Sequence, residues 1–217
     1  MDEAREAYDR LLERFGPQHW WPAETRFEMV VGALLMQQTA WRNVEVAIAN
    51  LRRAGLMSPD AIARASIPEI RRHVRVAGLY RAKPRRLKRF CQRLMEFGGD
   101  LDAFLGRDPA VVREDLLGQE GVGPETADSI LLYASETPTF VVDAYTVRIA
   151  RRLGWIDTDA YAAVRAWFEA RVPRDVTVYR EYHALLVVHG KSVCRPRPRC
   201  HECPLNETCA YYRTARP

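Results

Sequence analysis

Lysine is nearly missing from this chain. Three of its 33 basic residues are lysines, Lys83, Lys88 and Lys191, and the rest are arginines, so chemistry that needs a primary amine has three candidates. No uninterrupted apolar run approaches the roughly 20 residues that span a bilayer. The N-terminal MDEAREAYDRLLERFG alternates acidic, basic and apolar residues where a secretory signal would have an apolar stretch. A soluble cytoplasmic protein with no membrane partner is therefore expected. Sustained period-two alternation is also lacking, and the one strand-like run, Thr139-Phe140-Val141-Val142, is too short to build a sheet. Five cysteines are too few for a disulfide scaffold. With 47% hydrophobic and 28% charged residues the chain is not disordered, and 217 residues suffice for one large domain or two small ones.

Helical signals dominate. Tyr8, Leu11, Leu12 and Phe15 fall on one helical face, which Gly16 and Pro17 terminate. A buried helix is predicted over about 25–36, and further helices near 41–54, 59–65, 67–76, 84–97, 109–117, 125–135, 144–153, 159–170 and 178–190. The fold class is all-α, built from many short helices. The net charge of +5 and pI of about 9.1 favour a polyanionic partner. Residues 71–93 hold ten Arg or Lys and no acid, the pattern of a phosphate-tracking surface, although such runs are usually a solvated face. Residues 114–128 show the opposite imbalance, five acids and no base.

Three motifs carry chemistry. Gly121-Val122-Gly123-Pro124-Glu125-Thr126-Ala127 joins two helical stretches, and the N–H groups opening the second can bind a phosphate oxygen; a plain helix–helix turn reads equally well. Asp143, between the apolar Val141-Val142 and a helix, reads first as an N-cap. A carboxylate held ionised there also suits a reaction passing through an oxocarbenium-like sugar. Cys194, Cys200, Cys203 and Cys209, spaced C-x5-C-x2-C-x5-C, point to a [4Fe–4S] cluster or a structural zinc, between which the spacing alone does not choose. Cys91 stands apart and reads as a small buried hydrophobe.

Taken together and in this order, the motifs resemble the endonuclease III-type DNA glycosylases of the helix-hairpin-helix superfamily, over nearly the whole chain. Leu34-Leu35-Met36-Gln37-Gln38-Thr39 resembles the segment that inserts a glutamine, here Gln38, into the duplex. Gly78-Leu79-Tyr80-Arg81-Ala82-Lys83 resembles the loop facing the orphaned base, with Leu79 or Tyr80 as wedge and Arg81 and Lys83 on phosphates. Gly121, Val122, Gly123 and Thr126 match the DNA-binding hairpin (about 113–134), Asp143 the catalytic aspartate, and the four cysteines the ligands of the [4Fe–4S] loop, zinc being the alternative. The resemblance implies a six-helix barrel over 21–137 and a cluster domain made of 1–20 and 138–217, with DNA in the cleft between these lobes. It also implies a nucleoid-associated monomer that flips out and releases a damaged base from double-stranded DNA.

The sequence departs from that family at three points. Where bifunctional members carry a lysine that forms a Schiff base with the sugar, this chain has Glu125, which cannot. The expected activity is therefore monofunctional base release, with little or no strand cleavage. Glu125 is either part of the site or an idle first-turn acid. The alternatives are a bifunctional enzyme with a displaced lysine and a non-catalytic lesion-binding protein. The first cysteine spacing, C-x5-C, is one residue shorter than usual, and Glu120 puts an acid beside the phosphate site. The G-P-E-T-A-D pattern resembles a subgroup that includes a 3-methyladenine DNA glycosylase, the cluster loop resembles oxidised-pyrimidine enzymes, and Gln37-Gln38-Thr39 resembles adenine-mismatch enzymes.

Overall fold

The computed structural model describes residues 3–214, and every regular element among them is helical. In chain order these are α1 (Glu3–Phe15), α2 (Arg26–Leu35), α3 (Trp41–Arg53), α4 (Pro59–Arg64), α5 (Ile67–Val74), a 3-10 turn (Arg75–Ala77), α6 (Ala82–Met95), α7 (Leu101–Leu105), α8 (Pro109–Leu117), α9 (Pro124–Tyr133), α10 (Ala144–Leu153), α11 (Tyr161–Glu169), α12 (Val176–Ser192), a second 3-10 turn (Cys200–Glu202) and α13 (Ala210–Thr214). No described helix is long and apolar enough to cross a membrane. The chain divides into two compact units. One is the central segment Trp21–Thr137, and the other joins Met1–Trp20 to Pro138–Pro217. We call them the central unit and the terminal unit.

Helix starts in the central unit follow from local chemistry. Thr25, Ser58 and Ser66 accept N–H bonds as N-caps, and Ser66 forms a capping box with Glu69. Helix α7, which the periodicity does not predict, is five residues long and is started by Asp100, whose carboxylate accepts from Asp102 and Ala103. Helix α2 is buried nearly all round and packs on α3, α6 and α9, while α4 and α5 pack on α6. Leu34, Leu35, Leu51, Ile62, Leu87, Phe90 and Phe104 are fully or almost fully buried.

Two acids of the run 114–128 are held inside this unit by arginines from elsewhere in the chain. Asp115 takes Arg93 at 2.7 Å and Arg107 at 3.1 Å. Burial raises the pKa of its carboxyl, but hydrogen bonds from Arg93 and Arg107 outweigh that and hold it below the usual carboxylate range. Asp128 is fully buried and bonded by Arg113 through both oxygens, at 2.7 and 3.2 Å. Arg113→Ala removes that bidentate partner from a buried charge and is expected to destabilise the fold by about 3–5 kcal/mol. A lowered urea midpoint with an unchanged slope would show it, and a midpoint like that of the wild type would refute it.

The terminal unit packs α12 against α1 and α10, and α10 also against α13. Its core is aromatic. Phe140 and Phe168 stack at 4.4 Å, Tyr179 and Tyr182 meet Phe140 edge-on, and the Tyr182 hydroxyl donates to the Ala4 carbonyl at 2.8 Å. The strand-like run 139–142 forms no strand; its apolar side chains are buried in the lead-in to α10. With no partner strand to bond, the run's β-propensity serves only to fill the core.

Candidate active site and nucleic-acid interface

In the central unit the hairpin joins α8 to α9. Gly121 has φ of +81°, a conformation that side chains rarely adopt, and a Cβ there would also collide with the Arg86 guanidinium. Gly123 is the N-cap of α9 and Pro124 its first residue. The first intrahelical bond, Ala127 N–H to the Gly123 carbonyl, is 3.0 Å long, so the N–H groups of the first turn lie ahead of it, the arrangement that binds anions. Val122 is buried and donates its N–H to the Gln119 carbonyl. Thr126 is buried too, and its hydroxyl accepts from Gln37 at 3.0 Å. Both side chains are buried in the unit, so what the hairpin offers to an anion is its backbone groups. Glu120 pairs with Arg89, so its charge is partly offset.

Gln37 is a residue the sequence reading passes over. Its amide donates to the Gly121 carbonyl at 2.9 Å as well as to Thr126, and its carbonyl oxygen accepts from Arg86. It ties the hairpin to the segment that presents Gln38. Gln38 is exposed with φ of +52°, and Leu79 is exposed with φ of +43°. These are two of only four non-glycine residues with positive φ among those described. Strain of this kind persists where surrounding structure over-determines the backbone, and it concentrates at functional sites. Tyr80 is half exposed, and Arg81 lies 5.9 Å from its ring.

The structure corrects the expectation for Lys83. Its side chain is fully buried, its ammonium donates to the Ala77 carbonyl at 2.5 Å, and burial, helped by Arg86, lowers its pKa to about 8. It closes the 3-10 turn behind the Gly78–Tyr80 loop and cannot reach a phosphate. Half of the basic run 71–93 is engaged inside the unit in this way. Besides Lys83, Lys88 donates to the Ala65 carbonyl, Arg86 to Gln37, Arg89 to Glu120 and Arg93 to Asp115. Arg72, Arg75, Arg81 and Arg85 are exposed. Glu125 is exposed in the first turn of α9, and its carbonyl accepts from Ser129.

In the terminal unit Asp143 is the N-cap of α10. Its Oδ1 accepts from the Thr146 N–H at 2.7 Å and the Thr146 hydroxyl at 2.9 Å, and Oδ2 lies 3.9 Å from His183 Nε2. Burial, the largest effect, lowers the His183 pKa, Asp143 acts against that and Lys191 adds to it. Trp20 presents its ring edge-on to His183 at 5.8 Å, and the Lys191 ammonium lies 5.9 Å from both the Trp20 and Tyr145 rings. Gly190 permits this crowding, since a Cβ there would sit 2.5 Å from Tyr145.

The four C-terminal cysteines are free thiols that line one pocket, with Arg152 and Tyr211 also on its wall. Sulfur hydrogen bonds come from Arg152 to Cys194 at 3.3 Å and from the Leu205 N–H to Cys203 at 3.4 Å. Arg152 also donates to the Arg195 and Pro196 carbonyls, at 2.6 and 3.0 Å, and so fixes the short C-x5-C loop from α10. Burial pushes the Cys203 thiol up to about 11 and raises that of Cys200. A cationic guest is what favours four adjacent thiolates, so the donor set fits a thiolate-bound metal group. Among the described residues, no three Cys, His, Asp or Glu side chains are arranged to hold a single metal ion. The sulfurs share a cavity without converging on one centre.

Residues 31–174 match the family described as HhH-GPD superfamily base excision DNA repair protein. A "putative DNA repair glycosylase" of Methanocaldococcus jannaschii is 45% identical over 205 residues, 93% of each chain. The H. pylori 3-methyladenine DNA glycosylase bound to 1,N6-ethenoadenine superposes with a TM-score of 0.77 at 26% identity, over 88% of this chain and 98% of that one. A trapped endonuclease III–DNA covalent intermediate superposes with a TM-score of 0.83 at 23% identity, over 97% and 95%. The family match and the shared all-helical fold agree: the chain belongs to the HhH-GPD superfamily of base excision DNA repair proteins, as an endonuclease III-like DNA glycosylase.

Proposed function

We propose that the protein is a monofunctional glycosylase, which releases a damaged base from double-stranded DNA by hydrolysis and leaves the strand intact. The observation that carries this reading is the placement of its amines. Position 125 holds a carboxylate, and Lys83 and Lys88 both donate to backbone carbonyls inside the central unit. Without an amine at the sugar there is no Schiff base and no lyase step.

The division of labour is as follows. The first-turn N–H groups of α9 and the exposed arginines of 71–93 hold phosphates. Gln38 fills the gap left by the flipped nucleotide, and Leu79 or Tyr80 wedges beside it. Asp143 stabilises the positive sugar as the C1′–N bond breaks and accepts a proton from the attacking water. Cys194, Cys200, Cys203 and Cys209 hold a [4Fe–4S] cluster, whose cysteines bind separate irons. The cluster orders the C-terminal segment and takes no part in the reaction. The protein acts as a monomer in the nucleoid.

A second reading has one observation in its favour. Lys191 is exposed and stands in the terminal unit beside the Tyr145 and Trp20 rings, in the surroundings of Asp143, where it would be the displaced lyase amine. Borohydride trapping on abasic duplex separates the two. Wild-type protein should give no covalent adduct above a no-enzyme control, and Glu125→Lys should give one at a modest rate. Strong trapping by the wild type that disappears in Lys191→Gln would overturn the monofunctional reading.

A further inference from the structure

His183 is a buried polar group in the middle of α12, and no motif draws attention to it. It opens the apolar run HALLVV, a setting that suits a plain core residue. Its position is more specific than that. The side chains of His183 and Asp143 are only 6% and 11% exposed, so the Nε2–Oδ2 approach of 3.9 Å lies largely away from solvent. The two carboxylate oxygens are not equivalent. Oδ1 is occupied twice by Thr146, while Oδ2 is the oxygen that faces the imidazole.

A separation of 3.9 Å is too long for a direct hydrogen bond. It does match another arrangement. Two hydrogen bonds of about 2.8 Å meeting near a right angle at one water oxygen span about 4 Å. We propose that Asp143 Oδ2 and His183 Nε2 together hold the attacking water, each accepting one of its protons, so that a lone pair of the water oxygen is left for C1′. His183 is thus a positioning residue for the hydrolysis, and the inference rests on the base-release reading above. Burial lowers the His183 pKa, which favours the neutral imidazole the role requires, and the Trp20 ring packs against it in a T-shaped contact.

The step balances. The C1′–N bond breaks with its electron pair leaving on the base, which takes a proton from solvent. The water oxygen bonds to C1′, and one of its protons passes to Asp143 Oδ2, which later returns it to solvent. Sugar hydroxyl and free base are the products. A hydrolytic glycosylase needs such a water held in place, whereas a lyase supplies its own nucleophile.

The test uses the full-length protein and the damaged duplex that the wild type processes fastest. Single-turnover base release, duplex affinity and melting temperature are measured for His183→Leu, His183→Gln and Asp143→Asn. Leu keeps the bulk without a polar end, and Gln restores a polar end at about the reach of Nε2. The Leu variant should release base about 10- to 100-fold more slowly with unchanged duplex affinity, and the Gln variant should recover most of that loss. Equal rates for the Leu and Gln variants, whether fast or slow, would overturn the inference. If Asp143→Asn is slow while His183→Leu is fast, the His183 inference falls alone. If both are fast, the catalytic assignment of Asp143 falls with it.

Discussion

Asp143→Asn is expected to lower single-turnover base release by about 10²-fold or more while leaving the protein folded and bound to DNA. The substitution is a sharp one because it separates two roles of one side chain. Asn caps helices as well as Asp does, so the bond from the Thr146 N–H to the side-chain oxygen can persist and α10 keeps its start. What disappears is the negative charge that, in the proposed mechanism, balances a developing sugar cation and takes the proton from water. Removing that charge also lowers repulsion toward phosphates, so duplex affinity should hold or rise. Fluorescence anisotropy with labelled duplex measures the affinity, and rapid quenching measures the rate. Wild-type rates in the Asn variant would reduce Asp143 to a cap.

Cys203→Ala is expected to have the largest effect on stability. The segment from Cys194 to Cys209 has one three-residue 3-10 turn, Cys200–Glu202, as its regular structure, and beyond the bonds from Arg152 a bound group is its main source of order. Metal–thiolate binding energy is folding energy in such segments. The wild-type protein, purified without oxygen, should be yellow-brown with broad absorbance near roughly 400 nm. The Ala variant should lose that colour and melt lower by on the order of 10 °C, since each kcal/mol moves the midpoint of a chain this size by about 2–4 °C. A colourless wild-type protein carrying one zinc per chain would contradict the cluster assignment.

The features that could be read in the sequence are those set by neighbouring residues. Thr25, Ser58, Ser66 and Asp143 mark helix starts because the cap and the N–H it accepts lie three residues apart. The glycine hairpin and the cysteine spacing are local for the same reason. Features set by distant packing could not be read. A basic run does not say which stem turns inward, and Lys83 does so because the Ala77 carbonyl six residues away offers a buried acceptor. The acidic run 114–128 reads only as an imbalance of charge, with Glu120 beside the phosphate site. In the fold Asp115, Glu120 and Asp128 each meet an arginine 15 to 31 residues away in sequence. Gln37 and His183 gain their meaning only from partners 84 and 40 positions distant, Gly121 and Asp143, so no spacing rule could have found them. Helix α7 escaped because five residues are too few to show a period.

The most direct test is single-turnover incubation with a panel of damaged duplexes, each product divided and resolved with and without hot alkali. Alkylated and etheno purines head the panel, since the Gly-Pro-Glu-Thr-Ala-Asp pattern resembles a subgroup with a 3-methyladenine enzyme. Oxidised pyrimidines and adenine mismatches complete it. At least one duplex should yield strand breaks only after alkali, the mark of an abasic site left in an intact strand, and Asp143→Asn should slow their appearance by about 10²-fold or more. Breaks of equal yield without alkali, or tight binding to every duplex with no base released from any, would contradict the proposed function.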